Sequence, residues 1–351
     1  MGRGDIVRRL STWIAVLCLW LGLAGAATAA DLQPMNARAH LSPLGPVAPS
    51  VRQVLVGVYP TTVYDLNVGS STYFLSAYVW LRWRGDIDPT KTLEFTNGVA
   101  GVSKTNLLDK PRTLPDGSKY MIMRVDGRFF QPFDMADFPL DRQKLSVRME
   151  DTDNGVDALV YLPDRKDSGF GALLDIPGWQ VKGWQFKQTM QDYGSRFGDL
   201  SAAGASDYAG LQFDLMIERS ASYFVWKLFL PLAIVMGANW LVLLLLPSLV
   251  EVRTALPTTA LLTLVFLQKS YTDILPTVGY LVMMDKIYAV AYLLVVATLL
   301  QVILTTAWRR GEGFDAGHGH DRIKFFDRIS LGVQLVIFGV TVLVLTTSVV
   351  R

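Results

Sequence analysis

The sequence predicts a β-sandwich domain on the extracellular (periplasmic) side of a membrane, followed by a four-helix transmembrane bundle. Three observations predict it. The first thirty residues have the layout of an export signal. From about Val51 to Arg219, short runs of Val, Tyr, Phe and Trp are broken by Gly, Pro, Asp and Asn, with no long amphipathic helix. Beyond Arg219 the chain turns apolar in stretches long enough to cross a bilayer. The expected divisions are therefore a signal peptide at 1–30, a periplasmic β-sandwich at 31–219 and a membrane domain at 220–351.

At the N-terminus, Arg3, Arg8 and Arg9 precede an apolar run from Leu10 to Leu23 and the small-residue stretch Ala26-Ala27-Thr28-Ala29-Ala30. Cleavage near Ala30 or Asp31 is expected, and an uncleaved anchor is the alternative. Cys18, the only cysteine, lies in that signal, so the mature chain is expected to hold neither a disulfide nor a thiolate metal site. Formal charge is +2, and it falls to zero once Arg3, Arg8, Arg9 and Asp5 are removed. No long basic run suggests a nucleic-acid partner. Catalysis is disfavoured as well, because the exported part has no cysteine nucleophile, no Ser-x-x-Lys pair and no zinc-spaced histidine set.

The clearest strands are Val54 to Val58, Tyr73 to Trp83, Lys119 to Val125, Lys144 to Met149, Trp179 to Thr189 and Leu211 to Glu218. Their number and shortness predict a sandwich or barrel. Tyr73 to Trp83 is apolar on both faces in places, which fits either a core strand or a subunit contact.

Membrane helices are expected at about 223–246, 255–275, 285–308 and 327–350, with a cytoplasmic loop at 309–326. Export of the N-terminal domain sends the first helix inward, so the loop with Arg309, Arg310, Arg322 and Lys324, and Arg328 just after it, faces the cytoplasm, as the positive-inside rule requires. The chain is thus expected to be a multi-pass inner-membrane protein with its N-terminal domain and C-terminus outside, in contact with membrane lipids. Within the loop, Gly317 to His320 reads as either a metal-binding run or a solvent-exposed one.

The second span is too polar to face lipid. Val252, Ala255, Thr259, Leu262, Phe266, Lys269 and Asp273 recur at steps of three and four, which places them on one face of a helix. A charge at the bilayer centre costs about 2.5 to 3.5 kcal/mol on the insertion scale. A shared water-filled axis removes most of that cost, so identical copies of this helix are expected to surround one. Leu262 and Phe266 would form two apolar rings able to dewet and gate, or would serve as ordinary packing between helices. Glu251, near the cytoplasmic mouth, would concentrate cations. Against cations stand Arg253, two residues away, and Lys269. Pro257 raises the alternative that the helix starts only there, which would leave the lower stripe as loop.

The stretch Asp134-Met-Ala-Asp-Phe-Pro-Leu-Asp-Arg-Gln-Lys-Leu145 resembles the signature loop of the pentameric ligand-gated ion channels, the Cys-loop receptor superfamily, with Gln131 and Leu145 where animal members place bridging cysteines. It is similar to the prokaryotic branch, which lacks that disulfide. Further matches follow in family order: Trp83, Phe95-Thr-Asn97, Trp179, Gly183, Arg219 before Tyr223-Phe224, Pro231, Leu275-Pro276 and Phe326-Asp327-Arg328.

The resemblance implies a homopentamer that passes inorganic ions when a small-molecule agonist binds between subunits. On the residues above, the channel is expected to be cation-selective; an anion-selective channel and an exported sensor with a non-conducting anchor are the alternatives. The ligand-binding positions it implies are Phe95, Asp151, Asp153, Tyr193, Phe197 and Tyr208 on one subunit, with Tyr78 and Trp80 from its neighbour. Aromatic faces attract a cation by about 0.5 to 2 kcal/mol each, which suits an amine. Thr152 stands where many animal members carry tryptophan, inside the acidic turn Glu150 to Asn154. That turn could take an amine or Ca²⁺ as a modulator, or be simply solvated; no cofactor and no metal-ligand set is otherwise assigned. Coupling between the domains is implied for Phe138, Pro139 and Asp141, resting on the linker around Pro276, with Asp141 paired to Arg219.

Overall fold

In the computed structural model, described for residues 40–42, 51–193, 207–311 and 318–350, two sheets pack face to face above a helical bundle. The strands are β1 (His40–Ser42), β2 (Arg52–Asn67), β3 (Thr72–Trp83), β4 (Leu93–Phe95), β5 (Gly98–Asn106), β6 (Arg112–Thr113), β7 (Lys119–Phe130), β8 (Arg142–Asp151), β9 (Leu159–Pro163), β10 (Trp179–Asp192) and β11 (Asp207–Arg219). A single helical turn, α1 (Pro89–Thr92), is capped by the Asp88 side chain. One sheet runs β1-β10-β11-β8-β4 and the other β5-β7-β3-β2-β9, with β6 on β7. All pairings are antiparallel except β2 with β9.

Strand alternation builds the core. Tyr73, Leu75, Ala77, Val79, Leu81 and Trp83 of β3 face Leu145, Val147 and Met149 of β8 and Leu211, Phe213, Leu215 and Ile217 of β11 in one buried cluster. The other face of β3 leaves Tyr78 partly exposed, and Trp80 lies across Gly57, where a Cβ would stand 2.0 Å from the indole ring. Only glycine leaves room for that ring.

Four helices are long and apolar enough to span a membrane. The first, α2 (Ala221–Leu244), carries a π-helical stretch at Phe224–Phe229 and ends in a 3₁₀ turn. The others are α3 (Val250–Thr272), α4 (Met283–Gly311) and α5 (His318–Val350). Two expectations need correction. The second span begins at Val250, not 255, with Pro257 inside it. The connection expected as loop over 309–326 is helical up to Gly311 and again from His318, so only 312–317 separates the helices. The signal at 1–30, Phe197 and Gly317 lie outside the described residues.

A buried polar ladder joins the helices, because hydrocarbon offers side-chain donors no alternative partners. Asn239 Nδ2 donates to Thr298 Oγ1 at 3.1 Å, and both Thr298 and the Trp240 indole donate to Gln334 Oε1 at 3.1 Å. Ser330 Oγ donates to Gln301 Oε1 (2.5 Å), Gln301 Nε2 to Asp327 Oδ1 (2.7 Å) and Arg253 Nη2 to Asp327 Oδ2 (2.6 Å).

Candidate functional site

Helix α3 has two unlike faces. Arg253, Pro257, Ala260, Leu264 and Tyr271 are buried against the bundle. Val252, Ala255, Thr259, Leu262, Phe266, Lys269 and Asp273 are all exposed in the single chain, Leu262 at 58% and Phe266 at 66%. The Thr259 hydroxyl donates to the Ala255 carbonyl at 2.9 Å, and Lys269 pairs with Asp273 just past the helix end. Glu251 is exposed and forms no ion pair among the described residues. Arg253 lies 200° further round the helix from Glu251, since each residue turns the chain by about 100°. Its guanidinium is 2% exposed and held by Asp327, away from the stripe.

The signature loop sits on the top of this helix. Phe138 stacks on Tyr271 with ring centroids 6.1 Å apart, and the Phe138–Pro139 peptide is cis. Met283 N–H donates to the Ala136 carbonyl (2.8 Å), Met284 N–H to the Phe138 carbonyl (3.3 Å) and Met135 N–H to the Tyr280 hydroxyl (2.9 Å). These bonds fall on residues 280–284 rather than on the segment around Pro276, which is half-buried. The turn between β2 and β3 meets that segment instead, with Gly69 close to the Ile274 carbonyl. Asp141 is 1% exposed and receives two bonds from Arg219, 2.6 Å from Nε and 3.1 Å from Nη2. The guanidinium also lies 4.2 Å from the Trp179 ring centroid, 5.1 Å from that of Phe138 and 5.9 Å from that of Tyr223.

In the outer domain the structure separates the expected ligand residues. Tyr193 and Tyr208 come together edge to face at 5.8 Å, and the Tyr193 hydroxyl donates to Glu150 Oε1 at 2.5 Å. Burial pushes the Glu150 carboxyl above its ordinary range, the Tyr193 bond opposes that, and Glu94, opposite it in register, pushes it further up. Burial and the same carboxylates raise the Tyr193 phenol. Asp151 does not join them. It is 1% exposed and accepts bonds from Thr92, Tyr161, the Asn154 side chain and the amides of Asp153 and Asn154. Phe95 is buried edge to face on Phe129, and the Trp80 indole donates to Asp164 at 3.1 Å. Asp153 is exposed on the turn. Among the described residues no three His, Cys, Asp or Glu side chains converge to hold a metal ion. Strand alternation is the signal that finds the missed carboxylate: in Leu93-Glu94-Phe95 the two apolar residues face in, so Glu94 and its partner Glu150 face out.

No family model matches the chain. It is 25% identical over 213 residues to a glutamate-gated chloride channel of Drosophila melanogaster, 61% of this chain and 45% of that protein. Over 192 residues it is 24% identical to a gamma-aminobutyric acid receptor beta subunit of Lymnaea stagnalis, 54% of this chain and 36% of that one. A proton-gated ion channel of Gloeobacter violaceus matches at 22% over 230 residues, 59% of this chain and 60% of the other. At these low identities, the homologues of this chain are channels and receptors of the Cys-loop type. The aligned part of the chain spans about half or less of the first two of these relatives. The relatives are channels or receptors by their names, and the chain folds as a β-sandwich above four helices long and apolar enough to cross a membrane.

Proposed function

We propose that the chain forms a homopentameric, cation-selective channel of the inner membrane, with its β-sandwich in the periplasm, opened by a small amine bound between subunits. One observation carries the reading: the face of α3 that bears Thr259, Leu262, Phe266 and Lys269 is unpacked along its whole length while the opposite face is buried in the bundle. The Thr259 hydroxyl is satisfied by the Ala255 carbonyl, but the charged ends of Lys269 and Asp273 favour water, and a ring of such helices supplies it. Glu251 supports cations, since its ring carries uncancelled carboxylate charge at the mouth while Arg253 is turned away and paired. The outer Lys269 and Asp273 pair, leaving little net field there. For the agonist, the Tyr193–Tyr208 pair beside Glu150 and Glu94 offers ring faces and negative charge, which suits a primary or quaternary amine.

An anion-selective channel is the second reading, favoured by the chloride channels among the relatives. Reversal potentials of the purified chain in planar bilayers under asymmetric salt separate the two, before and after Glu251→Ala. Cation preference that falls about tenfold in the variant supports the carboxylate ring. Anion preference in the wild type would reject it, and the absence of any current under every agonist tried would favour a non-conducting anchor.

A further inference from the structure

We infer that Asp327 on α5 is a positioning residue for ion selectivity: it holds the Arg253 guanidinium inside each subunit's bundle and so keeps five positive charges away from the Glu251 ring. The inference rests on the channel reading above. It starts from a contradiction in the sequence, where a carboxylate and a guanidinium stand two residues apart at the same mouth and would cancel each other. The fold removes the contradiction. Glu251 and Arg253 point to opposite sides of α3, and Glu251 lies 40° from Ala255, on the exposed stripe.

Nothing about Arg253's own helix favours where it sits. It occupies the first turns of α3, where the helix dipole repels a cation, and its side chain is 2% exposed. Among the described residues its guanidinium has one side-chain partner, Asp327 Oδ2, and its Nε has none. Asp327 is itself aimed from two other helices, its second oxygen fixed by Gln301 of α4, which Ser330 of α5 fixes in turn. With that carboxylate neutralised, the long arginine stem at the cytoplasmic end of the helix lets the guanidinium swing into the aqueous mouth beside Glu251. A helix that touches no ion would then set which ions pass.

The test is the reversal potential in asymmetric salt of Asp327→Asn and of the double variant Arg253→Gln/Asp327→Asn, each against wild type. Asp327→Asn is expected to lower the cation-to-anion permeability ratio about tenfold, and the double variant to return it to the wild-type value, because no guanidinium remains to swing. A merely structural pair would change expression or thermal stability and leave the ratio alone. Conducting Asp327→Asn channels with the wild-type ratio would overturn the inference, as would a double variant that keeps the shift. If the single variant does not assemble, the double variant decides: the wild-type ratio supports the inference, whereas an altered ratio, or failure to assemble here too, would assign the pair to assembly alone. The proposed function fails separately, on the sign of the wild-type ratio, because this comparison reads only the difference between variants.

Discussion

Arg219 is one of the side chains at the junction of the two domains. It ends β11, opens the path into α2, and meets a carboxylate and three rings at once. At 12% exposure its charge is mostly removed from water, and Asp141 at 1% is removed further. Cutting such a pair leaves a buried charge without compensation, at a cost of about 3 to 5 kcal/mol. Arg219→Ala is therefore expected to abolish agonist-evoked current and to lower the melting temperature of the detergent-solubilised protein. Arg219→Lys should fall between, because a lysine ammonium cannot make the forked contact or lie flat on Trp179. Full currents from Arg219→Ala would remove the coupling role. At this scale the pair was legible from the resemblance, whereas Asp151 was not: an acidic turn looks the same in sequence whether its carboxylate faces a ligand or, as here, Thr92, Tyr161 and its own turn.

Among the elements, those with a strong period could be read and those held by distant pairing could not. β3 buries every second residue from Tyr73 to Trp83 and β11 every second one from Leu211 to Ile217, with some residues between them buried too. Both strands are dense enough in apolar residues to be read from the sequence. β5 is exposed along nearly all its length and exists through its pairing with β7, while the parallel partner of β2 is β9, about a hundred residues away. No local pattern announces either. In α3 the period of the wet face was legible, but the helix start was not: Pro257 fits a first turn, yet here it is the eighth residue, leaving the Arg253 carbonyl without its helical donor. The lower stripe is therefore helix, and the candidate gate sits mid-helix. In the proposed channel, Leu262→Thr would put a hydroxyl into one of the two apolar rings, where dewetting would provide the barrier. The variant is expected to conduct without agonist and to shift the agonist dose–response at least about tenfold to lower concentration. A variant as silent at rest as the wild type, with an unshifted dose–response, would move the gate away from Leu262.

For the whole molecule, the surface that stays uncovered states what is missing. Lipid can cover Trp226, Ile234, Phe325 and Val336 on the outer faces of α2 and α5. It is a poor cover for Lys269 and Asp273, whose charged side chains lie exposed at the end of α3, on the same face as Leu262 and Phe266. A lone subunit would leave that face either in hydrocarbon or over a water defect, so association is the low-energy outcome and closure into a ring is what lets every copy face water. Native mass spectrometry in mild detergent is therefore expected to find a closed oligomer and little monomer, with five copies as the family resemblance implies. In that assembly Thr259→Cys should react with a thiol reagent added on the β-sandwich side faster with agonist than without, because in the proposed channel the Leu262 and Phe266 rings would stand between it and that side when closed. The native cysteine, Cys18, lies in the expected signal, so Cys18→Ser in the same background removes its contribution. A stable monomer, or a Thr259→Cys thiol that reacts in no state while the channel conducts, would show that the ions pass elsewhere.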